Sequence, residues 1–148
     1  MNSDDWSFEH FVECRATRDF AWNFWSDVSN WAVVDPGVEW VRIDGPFAAG
    51  AKGVTKPGDS DLIEWTLADV QPGSSALVEI VLPGAIARFN WKFDDSAQSG
   101  TKLIQRVTIE GEQAGNYAEG LKSLEQGIPS GMQKLADAID KAAGSTQS

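Results

Sequence analysis

An amphipathic helix near the C-terminus constrains this chain more than any other feature. Apolar side chains fall at Tyr117, Leu121, Leu124, Ile128, Met132, Leu135 and Ile139, in steps of four, three, four, four, three and four. Those steps keep one stripe in phase over Asn116–Ala143, which is the periodicity of an α-helix with a single buried face. Lys122, Ser123, Glu125, Gln126, Lys134, Asp137 and Lys141 fall on the opposite side, toward water. Pro129 sits inside the stripe, flanked by Gly127 and Gly131. A proline removes one backbone donor and presses its ring on the carbonyl four residues back, so a kink is expected between Leu124 and Pro129. A helix with one apolar stripe needs a surface to cover, and the upstream chain reads as that surface.

Trp6–Cys14 alternates, with Phe8, His10, Val12 and Cys14 on one face and Ser7, Glu9, Phe11 and Glu13 on the other, and reads as a strand. Thr17 is placed as the N-cap of a short helix over Arg18–Trp25, and a second short helix is expected over Ser26–Trp31. Strands follow over Val38–Asp44, Lys52–Lys56, Leu62–Val70 and Ala76–Leu82. Turns or loops separate them at Asp35-Pro36-Gly37, Gly45–Gly50, Pro57-Gly58-Asp59, Gln71–Ser74 and Pro83-Gly84. The clearest strand has Ala87, Phe89, Trp91 and Phe93 alternating with Arg88, Asn90, Lys92 and Asp94. After a loop over Asp95–Gly100, Gln105 shares a face with Leu103, Val107 and Ile109, while Ile104 points the other way. Plain alternation also puts Glu64 and Asp69 on opposite faces of their strand.

This order predicts an α+β domain: a curved antiparallel sheet of about seven strands wrapped round a long C-terminal helix, with two short helices between strands 1 and 2. Residues 1–148 are expected to form one domain, with an ordered core over about 6–143 and a frayed polar tail over 144–148. A curved sheet closed by one helix leaves a gap that side chains fill only partly, and such gaps take small molecules.

Seven Trp and seven Phe in 148 residues imply a largely aromatic interior. One Cys cannot form an intramolecular disulfide. The start, Met-Asn-Ser-Asp-Asp, lacks the basic and apolar run of a signal peptide. The longest apolar stretch, Ala76–Ala87, is broken by Glu79 and Pro83-Gly84, too short to span a bilayer. A cytoplasmic protein, monomer or homodimer, is expected. The net charge of −10 repels phosphate backbones and anionic headgroups, so neither nucleic acid nor stable membrane attachment is expected.

Several short motifs in this order resemble the START-like, helix-grip superfamily (SRPBCC), whose relatives include pollen-allergen proteins and polyketide cyclase/dehydrases. Cys14-Arg15-Ala16 with Ala21-Trp22 is similar to the family's apolar-x-Ala and Val-Trp pattern after the first strand. Asp27 and Trp31 resemble its Asp and Trp at the second short helix. Gly50-Ala51-Lys52-Gly53, Gly100-Thr101-Lys102-Leu103 and Gly111 stand where the family places its other glycine signals. The resemblance covers roughly Phe8–Ile139 and implies binding of a hydrophobic or aromatic, lipid- or polyketide-like molecule between sheet and helix. It also implies a second possibility, a cyclase/dehydratase-type enzyme in the same cavity. It carries no catalytic motif that transfers residue by residue.

Among the residues themselves, one His and one Cys cannot build a zinc site, so no metal and no cofactor are expected. His10 and Cys14 share a face but lie about 13 Å apart along a strand, too far for a nucleophile–base pair. Cys14 reads as a small core residue. His10 is the one side chain whose ordinary pKa lies near neutrality, which makes it the first acid–base candidate, with Tyr117 the second. Two readings are open for Gln105: its amide bonds a backbone carbonyl or Tyr117, or it meets a ligand's oxygen. Of Trp22, Trp25, Trp31, Trp40, Trp65, Phe89, Trp91 and Phe93, most are expected in the core and several along a pocket. Phe47 is placed at its mouth. The expected ligand-binding set is Gln105, Trp65, Phe89, Trp91, Phe47, Tyr117, Ile128 and Met132.

Overall fold

The alternating segments pair into one sheet, whose inner face receives the helix stripe. The computed structural model describes residues 6–35, 37–58, 61–96 and 100–146. The acidic start, Pro36 and Asp59 of two expected turns, the middle of the Asp95–Gly100 loop and the last two residues lie outside these. Strands β1 (Trp6–Cys14), β2 (Val38–Ile43), β3 (Lys52–Pro57), β4 (Ile63–Gln71), β5 (Ser75–Leu82), β6 (Ala85–Asp95) and β7 (Thr101–Glu110) are all antiparallel, in the order β1-β7-β6-β5-β4-β3-β2. Helices α1 (Arg18–Ser26) and α2 (Ser29–Val34) follow β1, and α3 (Ala118–Thr146) closes the chain after a 3₁₀ turn at Ala114–Tyr117.

The Thr17 hydroxyl accepts the Phe20 amide and caps α1, as its sequence position implies. The second helix lies further on than expected, because the Asp27 carboxylate accepts both the amide and the hydroxyl of Ser29 and turns the chain first. Tyr117 belongs to the 3₁₀ turn rather than to the long helix. At the other end α3 extends to Thr146, with Ala143 buried one turn beyond Ile139. The helix is continuous through Pro129.

Two register shifts alter which residues face inward. Between Leu67 and Asp69 one residue of β4 has no partner on β5, so Asp69 lies opposite Leu77 and joins Glu64 on the outer face. The opposite-face placement of this pair is thereby overturned. A second shift between Val38 and Trp40 sets Trp40 opposite Lys56, with the Arg42 guanidinium 4.4 Å from its ring centre. Trp40 is therefore an outer-face residue and not part of the core.

The helix is fastened to the sheet at both ends. Asp140 accepts the backbone amides of Arg15 at 2.8 Å and Ala16 at 3.0 Å, just beyond β1. The buried Thr101 hydroxyl donates to the Ala16 carbonyl at 2.8 Å, tying β7 to the same corner. Gly100 is required there, because a Cβ would overlap the Cys14 carbonyl. At the far end the Tyr117 hydroxyl donates to the Pro83 carbonyl at 2.8 Å, and Leu121 packs with Ala85 and Ile109. Since Ile109 lies opposite Trp6, helix and β1 run in the same direction.

Two substitutions test this account with opposite signs. Asp140→Ala leaves two amides without their acceptor and is expected to cost about 1–3 kcal/mol in urea unfolding. A Cβ on Gly127 meets nothing within 4 Å. Gly127→Ala is therefore expected to stabilise the protein by about 0.5–1 kcal/mol.

Candidate functional site

Antiparallel register brings side chains far apart in sequence into rows across the inner face. His10 lies opposite Gln105, and Gln105 opposite Trp91, placing neighbouring Cβ atoms roughly 4.5–5.5 Å apart. One step toward the helix N-terminus lies the row Phe8–Val107–Phe89, and one step the other way Val12–Leu103–Phe93.

Burial differs sharply between these rows. Val12, Leu103 and Phe93 are buried, while Phe8, His10, Phe89 and Trp91 are only half-buried. β6 is flanked by β5 and β7, so inward side chains in its middle gain exposure only from the space between the sheet and the helices. Leu124 of α3 is likewise half-buried. Gln105 is 7% exposed, and its amide makes no hydrogen bond among the described residues. No side-chain nitrogen or oxygen of a described residue is both sealed from solvent and unpaired. The Gln105 amide therefore keeps some contact with solvent. Burying such a group without a partner costs about 1–3 kcal/mol, which a bound oxygen or water offsets.

Aromatic rings fill one flank of this space. Trp25 contacts Trp91 and Phe93 on the sheet at 5.1 and 5.3 Å between ring centres, and stacks on Trp31 at 5.7 Å. Phe47, from the loop between β2 and β3, meets Trp22 and Trp25 edge-on at 6.0 and 5.3 Å. Beyond them the Trp65 ring lies 5.1 Å from Trp31, and its Nε1–H donates to Thr55 Oγ1 at 3.0 Å. A Cβ on Gly53 would overlap the Trp65 ring, so the glycine makes room for the indole. On the opposite side Ile128 and Met132 of α3 are buried in the same cluster.

The chemistry available inside is narrow. The inner-face positions Phe8–Val12, Ala76–Ile80, Ala87–Phe93 and Leu103–Ile109, together with the buried stripe of α3, contribute no carboxylate, ammonium or guanidinium. Charges lie outside, as in the Arg88 contacts with Glu79 at 2.8 Å and with Glu110. Among the described residues no three His, Cys, Asp or Glu side chains group as metal ligands, and no helix is long and apolar enough to cross a membrane. Two surface concavities lie away from the His10–Gln105–Trp91 row. One, of about 530 Å³, is at the β5–β6 turn beside Leu82 and Gly84. The other, of about 510 Å³, is largely on the outer face around Trp40, Leu62 and Val81.

No protein-family pattern and no curated protein matches the sequence. Solved structures do. Ara h 8.0201 aligns over 91% of this chain and 97% of its own, with a TM-score of 0.73 at 12% identity. The Zhui aromatase/cyclase from Streptomyces sp. R1128 aligns over 94% and 96%, with a TM-score of 0.73 at 15% identity. Norcoclaurine synthase from Thalictrum flavum, in complex with dopamine and hydroxybenzaldehyde, aligns over 97% and 89%, with a TM-score of 0.72 at 16% identity. The chain has the helix-grip fold.

Within the helix-grip domain the residues singled out from sequence fall into three places. Gln105, Phe89 and Trp91 adjoin the half-buried space, with Ile128 and Met132 in the helix wall. Trp65 and Phe47 belong to the aromatic flank. Tyr117 lies at the helix N-terminus with its hydroxyl on Pro83, so the Tyr117–Gln105 bond, one of the two internal partners expected for that amide, is not formed. Phe8 and Leu124 adjoin the space without having been marked for it. Phe8 was legible as an inner-face neighbour of His10, but only partial exposure distinguishes it from core.

Cys14 is 5% exposed, and burial first and the Asp140 charge second push its thiol above the ordinary value. The folded chain holds that proton more tightly than the unfolded one. This contribution to stability is full below the unfolded thiol's pKa and is lost as pH rises through the folded value. Dithionitrobenzoate at pH 8 is expected to label Cys14 slowly in the folded helix-grip domain and rapidly in urea. Fast labelling of the folded protein would contradict its burial.

Proposed function

We propose that the domain binds a hydrophobic or aromatic small molecule, lipid- or polyketide-like, between the inner face of the sheet and α3. The observation that carries this reading is the partial exposure of Phe89 and Trp91 at the centre of a central strand, beside an unpaired, nearly buried Gln105. A core packed only for stability would close over such positions, because interiors are otherwise close-packed and buried amides are paired. The fold likeness to norcoclaurine synthase, a protein whose complex holds dopamine and hydroxybenzaldehyde, supports an aromatic ligand.

The aromatase/cyclase likeness keeps a cyclase/dehydratase-type enzyme as the second reading, with His10 the inward titratable group and Tyr117 a residue at the edge of the fold. Acid–base catalysis commonly draws on several convergent groups with displaced pKa values. Here the interior offers His10 and one amide, which favours binding without chemistry.

The neutral fluorophore N-phenyl-1-naphthylamine tests the binding reading. It is expected to brighten saturably with the folded protein and to quench tryptophan emission, through its approach to Trp91. Phe47→Ala, which thins the aromatic flank, is expected to raise its affinity or its rate of uptake. Absence of saturable binding to the folded protein would overturn the proposal.

A further inference from the structure

Gln105 defines what kind of molecule the space accepts, an inference that rests on the binding reading above. Its amide offers two N–H donors and one carbonyl acceptor, and none of these is engaged by the described residues. Leu103 and Val107, its inner-face neighbours along β7, are fully buried, so along its own strand the amide is a polar point between apolar side chains. On one side of it stands the Trp91 indole and on the other the His10 imidazole. No lysine or arginine occupies the surrounding inner-face positions, and the chain as a whole carries a charge of −10.

We propose that the site selects a neutral, flat aromatic molecule bearing a carbonyl or hydroxyl oxygen, with its ring against Trp91 and its oxygen on the Gln105 amide. A ring without oxygen leaves the amide unpaired and forfeits that bond. A carboxylate of the same shape gives up its hydration without meeting a fixed counter-charge, so anions are disfavoured. Gln105 is thus a specificity-determining residue, and the register that puts it between His10 and Trp91 makes one end of the ligand polar and the other apolar.

Three probes of one shape separate these terms: 2-acetylnaphthalene, 2-ethylnaphthalene and 2-naphthoate, each measured by displacement of N-phenyl-1-naphthylamine. The wild-type protein is expected to bind 2-acetylnaphthalene about tenfold tighter than 2-ethylnaphthalene, the equivalent of one hydrogen bond. It is expected to bind 2-naphthoate at least about tenfold more weakly than the ketone. Gln105→Met keeps a similar volume without the amide, and its expected effect is to abolish the preference for the ketone over 2-ethylnaphthalene. Equal affinity for ketone and hydrocarbon in the wild type would overturn the inference even if the variant failed to fold, and would leave the general binding reading standing. A ketone preference that survives in Gln105→Met, or a carboxylate bound as tightly as the ketone, would overturn it as well. Failure of the fluorophore and all three naphthalenes to bind would overturn both readings together.

Discussion

The packing of Trp25 is the contact on which the rest of the domain depends. Its ring meets Trp22, Trp31, Phe47, Trp91 and Phe93, which come from both short helices, the β2–β3 loop and β6. A single helix has one apolar stripe, too narrow to cover a face of seven strands. α3 covers the part of the sheet near β1, and the cluster centred on Trp25 covers much of what remains. Without these rings α1 and α2 would have little reason to lie on the sheet, since α2 has no fully buried residue of its own. The Trp31 Nε1–H, donating to the Trp25 carbonyl at 2.6 Å, further joins the two helices.

This division of the covering work leaves part of the inner face incompletely covered. Between the helix stripe and the ring cluster lies a strip of sheet that neither closes completely, and Phe8, His10, Phe89 and Trp91 retain partial exposure along it. Gln105 sits in the same strip. A hydrophobic side chain at that position would bury more cheaply, so an amide without an internal partner is a stability cost, one that the proposed ligand would offset. Among the described residues the surrounding inner-face positions hold no carboxylate, ammonium or guanidinium, while on the outer face Arg88 bridges Glu79 and Glu110.

The fastening of α3 fixes the depth of that strip. Asp140 holds the C-terminal end of the helix to the corner after β1, while Tyr117 and Leu121 hold its N-terminal end to the β5–β6 turn. With both ends tied, the middle of the helix, including Leu124 and Ile128, is set at its distance from Gln105 by the frame and not by local packing alone. Gly100 serves the same frame: its missing Cβ allows the start of β7 to approach the Cys14 carbonyl closely enough for Thr101 to reach Ala16.

The sequence by itself determined the order of elements, the long helix with its buried face and the alternation that gives the sheet an inner side. These depend on residue spacing, and period 3.6 and period 2 are visible without coordinates. It also marked Gln105 as an amide on an apolar face, because one polar residue among Leu103, Val107 and Ile109 breaks the pattern. Only the tertiary structure decided which rings support and which border the open strip, since Trp65, Trp91 and Trp25 look alike until Gly53, Phe47 and the short helices are placed around them. It also decided the outward positions of Trp40 and Asp69, because an unpaired residue in one strand changes the facing of those after it while leaving the sequence pattern intact. Whether Gln105 had a partner was likewise a tertiary matter. Its possible partner Tyr117 lies beyond β7 in sequence, and the fold gives that hydroxyl to Pro83.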